Sequence, residues 1–450
     1  HGDIKRLNRD AENTLLTAET AATLATVLTG AQYPAAALAE AWQTACFHQF
    51  HDILCGCAIG VTYREAGERL NAVLDTAAQV TQTALAGLAA AADTGPGDSI
   101  RIAVFNPLAW ERDDVVRVPV AAFEGEIPEG LLDDRGEFVP VQLCPGPEAA
   151  NDLLFVARQV PGLGLRVYRP ADLQAAPAAG VVADAQANTL DNGILRLRVN
   201  PQSGALDQLV DHEAGRDVAG PWAGWGPEAK VNAGMLNRLQ ILWEQPHPMS
   251  AWNIGDITRS DNLLTGAEVR VVESGPVAGV IEIKRRFLNS SFAQYVHLYR
   301  GLRRVEFETI VDWHERGSAH ADAPMLRTTF APFLRGTNAT FEIPFGAVAR
   351  PADGREVPAQ RWADVSEDEP AACRAGRGRA GEPPAYGLSL LNDCLYGDQA
   401  HGNTLGLTLV RASYEPDNNP DEGLHRFTYA LYPHAGDWRT AGTIRRAAEL

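Results

Sequence analysis

His48 and His51 stand three residues apart in the run CFHQFHDILCGCAIG, residues 46–60, with Asp52 directly after the second and Cys46, Cys55 and Cys57 in the same stretch. Imidazole nitrogens, a carboxylate and thiols are the donor types that bind zinc, and thiols also support redox chemistry. On a continuous helix His48 and His51 share a face and could reach one ion, with Asp52 about a third of a turn away at the rim of a pocket. A histidine pair has little specificity by itself, and two hydrogen-bonded, partly buried histidines near a helix end are the more ordinary reading. Zinc ribbons and knuckles pair their thiols as Cys-x₂₋₄-Cys, whereas Cys55-x-Cys57 has no second pair. Six cysteines in 450 residues are no disulfide framework, so reduced thiols are expected. A redox sensor around Cys46, Cys55 and Cys57 is a minor reading that would require an exposed thiol of low pKa.

Two other stretches could face a ligand: NDCLYGD (392–398) and WNIGD (252–256), where a tryptophan and an acid could meet a sugar. Ordinary turns account for both more simply. No Ser-His-Asp order, glycine-rich phosphate loop or His-Glu-x-x-His stands out.

The elements that carry these residues follow from periodicity. Ile4, Leu7, Ala11, Leu15, Ala18, Ala22 and Ala25 fall at helical spacing, and Gly30 is placed to end that helix in a left-handed cap. A second helix is expected from Pro34 toward Ile53 or Leu54, with Gly56 as its stop. A third carries Ala66, Leu70, Val73, Ala77, Val80, Ala84 and Leu88, with Thr62 and Glu65 at capping-box spacing. Together they predict a three-helix bundle over 1–93, and DTGPGDS (93–99) breaks it and marks a linker at 94–99. From 100 to 450 the texture changes to short alternating runs such as DDVVRVPV, ILRLRVN and VEFETIVDW, separated by turns, with no helix-length period. The expectation is an α+β multidomain chain, a helical bundle followed by a large antiparallel β-sandwich region. EDEPAACRAGRGRAGEPPA (367–385) reads as a surface loop.

The totals limit partners. A formal net charge of −18 opposes nucleic acid and anionic membranes. No apolar run approaches the roughly 20 residues of a membrane span. The first residue is His1, and no basic segment followed by an apolar one reads as a signal peptide. The expectations are a cytoplasmic protein and a chain that begins within a longer reading frame or has been processed.

Taken in order, IKRLNRDAE, HQFHDILCGCAIGVTYREA, VFNPLAWER, LDNGILRLRVNPQSGALDQLVDHEAGRDV, NRLQILWEQPHPMSAWNIGD, RWADVSE, LSLLNDCLYGD and PDEGLHRFTYALYPHAGDW resemble the middle helical and C-terminal β domains of the family 38 glycoside hydrolases, the α-mannosidases. In that family the run at residues 48–56 usually reads Asn-Gln-Phe-His-Asp-Ile-Leu-Pro-Gly. The resemblance implies a zinc ion held by two histidines and two aspartates, with His51 as one ligand and Asp52 hydrogen-bonded to sugar hydroxyls. It does not extend to His48, which stands at the usual Asn, and Cys55 stands at the usual Pro. It also implies that the remaining ligands, the nucleophile and the acid/base belong to an N-terminal barrel that this chain does not carry. Trp252, Trp362 and Tyr396 are candidates to reach toward a sugar, and a core role is an equal alternative for each.

The resulting expectation is part of a zinc-dependent retaining α-mannosidase acting on α-mannoside oligosaccharides, inactive in isolation, with no nucleic-acid or membrane partner. Apolar surface near residues 38–54 would favour a homo-oligomer. The rival is a non-catalytic carbohydrate-binding or assembly module that binds through a sandwich surface and is indifferent to His51.

Overall fold

A computed structural model describes residues 1–92, 100–123, 127–145, 151–172, 180–220, 234–335, 338–367, 385–418 and 420–450. All of the expected linker, residues 94–99, and residues 368–384 of the expected surface loop lie outside them. Two compact units divide the chain: residues 4–180 with 275–278, and residues 1–3, 181–274 and 279–450.

The first unit holds the N-terminal helices. α1 (Gly2–Thr29) ends where Gly30 takes φ +74°, a backbone geometry that costs glycine no Cβ clash. α2 (Ala35–His48) buries Leu38, Ala41, Ala45 and His48. α3 is the single turn His51–Leu54, and α4 runs from Gly60 to Ala91. Ile4, Ala11, Leu15, Leu38, Ala45, Tyr63, Leu70 and Val73 interlock in one apolar cluster. Alanines at many of the inward positions allow close helix approach.

Two expectations need correction here. The second helix does not run through to Leu54. Its buried stripe would next turn His51 or Asp52 inward, and an extended Phe50 (φ −54°, ψ 137°) breaks it so that Ile53 is buried instead. The capping box does not form either. α4 starts at Gly60 with Ile59 as its N-cap and no side-chain cap, so Thr62 already lies inside the first turn.

The same unit contains a four-stranded and a three-stranded antiparallel sheet. The four-stranded one runs, in spatial order, Ile102–Asn106, Gly164–Ala171, Gly130–Asp133, Phe138–Pro140. The three-stranded one runs Arg112–Pro119, Asn151–Val160, Gln142–Pro145. Leu131, Phe155, Val160 and Tyr168 close a small core.

The second unit is built of three sheets of five, six and nine strands. The largest is ordered Glu268–Ser274, Ala278–Phe287, Ser290–Tyr299, Val305–Trp313, Gly423–Ala435, Tyr386–Asn392, Trp362–Ser366, Asn338–Ile343, Gly346–Arg350. Strict alternation along Val305–Trp313 buries Val305, Phe307, Thr309, Val311 and Trp313, as a strand with one face inward should. Leu197 and Leu209 from the five-stranded sheet join Ile241, Leu326 and Leu407 from the six-stranded one and Phe307 and Leu431 from the nine-stranded one in a single core. The chain is thus α+β and multidomain. One helix escaped the periodicity reading: α5 (Thr443–Glu449) is too short to show a period and buries Ala447 beside Trp362 and Trp438.

Candidate functional site

The break between α2 and α3 decides what the two histidines do. His48 closes α2 and is buried, with Nδ1 2.7 Å from the Thr44 carbonyl. Its ring is therefore committed to its own helix, and the two histidines do not form a pair. His51 opens α3 with its side chain 68% exposed, and it makes no hydrogen bond to any described residue. Its Nε2 lies 3.5 Å from Oδ1 of Asp52, and its ring stacks obliquely against Phe50 at 4.3 Å between centroids.

The turn after α3 is fixed from several sides. Gly56 adopts φ +84° and donates its N–H to the Ile53 carbonyl at 3.1 Å. Tyr63, buried on α4, accepts the Ala58 amide at 2.8 Å and donates to the Asp52 carbonyl at 3.2 Å. The Cys57 thiol reaches the Asp52 carbonyl at 3.5 Å and Oδ1 at 3.6 Å. Burial, and then the hydrogen bond to Asp52, push the Cys57 thiol above its ordinary pKa. At the start of this segment, Gln49 donates Nε2 to Glu12 of α1 at 2.7 Å. The result is an anchored turn that presents an exposed imidazole and, 3.5 Å from it, a half-exposed carboxylate. Phe47, Phe50, Ile59 and Val61 are exposed on the same segments.

This arrangement can supply one imidazole to a cation and one carboxylate to a hydroxyl-bearing ligand. It is not a complete metal centre: among the described residues no three His, Cys, Asp or Glu side chains gather closely enough to hold an ion.

The other candidates belong to the β-rich unit. Trp252 is exposed on the loop after the strand Arg238–Glu244. Trp362 is 1% exposed and packs against Trp438 at 5.0 Å between centroids, so its ring has no face to offer a sugar. Tyr396 is partly buried, and its carbonyl accepts the Ala359 amide at 3.0 Å.

Polar groups that the sequence reading missed lie in the same unit. Ser389 Oγ donates to Asp364 Oδ2 at 2.8 Å, His434 Nε2 lies 2.8 Å from the same oxygen, and Thr443 Oγ1 is 2.8 Å from Ser389. These are the residue types of a nucleophilic triad, but the serine bonds the carboxylate and not the imidazole. All four are buried, so the network ties α5 to the sheet. Glu244, 3% exposed, receives Arg411 at 2.9 and 2.6 Å and His247 at 2.9 Å. Burial would raise its pKa, and the Arg411 hydrogen bonds and charge outweigh that and hold it below the usual carboxylate range. An acid closing the largely apolar strand run LQILWE was the one available signal.

Comparison with known proteins agrees with this layout. The family model for the α-mannosidase middle domain matches residues 1–88, and that for the C-terminal domain of glycosyl hydrolases family 38 matches residues 190–419. Alpha-mannosidase 2C1 of Mus musculus is 31% identical over 467 residues, covering 100% of this chain and 39% of the mouse protein. The Homo sapiens protein of the same name is 31% identical over 472 residues, again with 100% and 39% coverage. The chain thus spans 39% of the length of these relatives. The crystal structure of an alpha-mannosidase from Enterococcus faecalis V583 superposes with a TM-score of 0.76 at 17% identity, over 99% of this chain and 56% of that one, which establishes a shared fold.

Proposed function

The chain belongs to glycosyl hydrolase family 38, and from that premise we propose that it is the middle helical and C-terminal β portion of a zinc-dependent α-mannosidase that removes terminal α-mannosyl residues from oligosaccharides with retention of configuration. The observation that carries this reading is the exposed His51–Asp52 pair on an anchored turn, within a segment that matches the middle-domain model.

In this reading His51 is one zinc ligand and Asp52 orients sugar hydroxyls. An exposed imidazole whose one polar neighbour is the adjacent Asp52 carboxylate fits the first role, and a carboxylate fixed through its own backbone fits the second. A zinc centre needs about four ligands, so the remaining donors come from outside the described residues. Bound zinc would supply Lewis-acid polarisation and orientation of the sugar. Retaining hydrolysis requires one carboxylate that attacks the anomeric carbon and a second carboxyl that protonates the leaving oxygen and then activates water. Neither role is assigned to a residue of this chain, so the 450-residue chain alone is inactive. Of the aromatic candidates, Trp252 and Tyr396 remain sugar contacts in this proposal, and Trp362 leaves it because its indole is sealed in the core.

The test is turnover of an aryl α-mannoside by the purified 450-residue chain and by the protein expressed from its whole reading frame. Activity only in the latter supports the proposal. Turnover by the chain alone refutes the assignment of both carboxyls elsewhere, and no turnover by either refutes the activity.

A further inference from the structure

A groove of about 780 Å³ runs beside α4 and lies wholly within the first unit. α4 contributes Ala78, Leu85, Ala86 and Ala89 at helical spacing along one face. α1 contributes Thr14 and Thr17, and the four-stranded sheet contributes Ala103 and Leu165. The groove shares no residue with the turn that carries His51. We propose that it is a binding site for a free alkyl monocarboxylate of fatty-acid type, with Arg101 as the partner of the carboxylate. This inference does not depend on the mannosidase reading.

The first argument is shape. From Ala78 to Ala89 the lining follows α4 for about 16 Å, at the helical rise of ~1.5 Å per residue. An extended chain of about ten to twelve carbons has a similar length, given C–C bonds of ~1.5 Å. The volume falls within the range of about 300–1,000 Å³ typical of small-molecule sites. A peptide helix of that length, about 10 Å across, would need roughly 1,250 Å³, so the thinner ligand fits better.

The second argument is the chemistry of the lining. Thr14, Thr17 and Thr81 look polar in sequence, but each hydroxyl donates to a carbonyl of its own helix, Asp10 at 2.7 Å, Asn13 at 2.9 Å and Ala77 at 2.8 Å. These protons are committed within the helices, which leaves a lining poor in the convergent donors that a sugar requires. Leu85, Ala89, Ala103 and Leu165 are only partly buried, so a hydrocarbon chain in the groove would remove apolar surface from water.

The third argument is charge. Among the described residues Arg101 is the single ionisable one in the lining, within a chain of formal net charge −18. It directly precedes the strand Ile102–Asn106, and its Nη1 lies 3.4 Å from the Ile100 carbonyl. No acidic described residue lines the groove to repel an anion. A guanidinium beside an apolar cleft selects an anion with a hydrocarbon body, and its planar fork matches a carboxylate.

The experiment is a calorimetric titration of the 450-residue chain with decanoate and, as its uncharged counterpart, decan-1-ol. Wild type, Ala86→Phe, Ala89→Leu and Arg101→Met are compared, with melting temperatures as the control for folding. Wild type binds decanoate with a Kd on the order of 10–100 μM. The two groove-filling variants weaken both ligands about tenfold or more, and Ala89→Leu decides if Ala86→Phe lowers the melting temperature. Arg101→Met weakens decanoate about tenfold and leaves decan-1-ol within about twofold. Absence of wild-type binding, or binding indifferent to groove filling, overturns the proposal. Decanoate binding unchanged by Arg101→Met overturns it as well. The protein of the whole reading frame is titrated in parallel: equal affinity there supports the site, and loss of binding there shows that protein covers the groove and overturns it.

Discussion

The hydroxyl of Tyr63 on α4 donates to the backbone carbonyl of Asp52 at 3.2 Å and accepts the Ala58 amide at 2.8 Å. One phenol from the neighbouring helix therefore fixes both ends of the turn that presents His51 and Asp52. Tyr63→Phe removes both bonds and leaves the Ala58 amide without its partner. The expected loss is about 1–2 kcal/mol in chemical denaturation, with faster amide exchange over residues 52–58 than elsewhere in the helices.

The thiols around this turn should differ in reactivity. Burial and the bond to Asp52 raise the Cys57 pKa, whereas Cys46 and Cys55 are exposed. Alkylation at neutral pH followed by peptide mass spectrometry should label Cys57 last, with its rate climbing as pH rises. Preferential labelling of Cys57 at neutral pH would instead support a redox-sensing role.

Phe47 and Phe50, 71% and 53% exposed, flank His51 with ring surface that water solvates poorly. The 450-residue chain is expected to self-associate through this face with rising concentration. Sedimentation should show Phe47→Ser/Phe50→Ser as a monomer at concentrations where wild type forms larger species.

Asp398 makes stability depend on pH. Its carboxyl is buried, and neither oxygen has a hydrogen-bond partner among the described residues. Burial, and then the Glu356 charge, raise its pKa well above the ordinary value, against a smaller opposing pull from Arg350. Since the folded pKa exceeds the unfolded value of about 3.9, the folded state holds a proton that the unfolded state has released. This contribution is fully present below pH ~4 and is lost as pH rises through the folded pKa. Asp398→Asn, which cannot ionise, should flatten the fall in melting temperature over that window. An identical slope in the variant would locate the proton uptake elsewhere.

Much of this was legible in the sequence for physical reasons. The alternation that buries Val305, Phe307 and Val311 is a local pattern, as is the 3–4 spacing of α1 and α4, and both survive folding unchanged. The break at Phe50 was not legible, because it depends on which residue, Asp52 or Ile53, the neighbouring helices accept into their core. Trp362 and Trp252 look alike in sequence, and only strand pairing separates a ring against Trp438 from one in solvent. The Asp364–Ser389–His434 network joins three strands distant in the chain, so no single window contained it.

The central claim is that His51 is a zinc ligand of an α-mannosidase. The most direct measurement is zinc content by mass spectrometry, alongside aryl α-mannoside turnover, for the protein of the whole reading frame and its His51→Ala variant. Loss of zinc stoichiometry together with turnover, at an unchanged fold by circular dichroism, is the predicted result. A His51→Ala protein that keeps both its zinc and its turnover would contradict it.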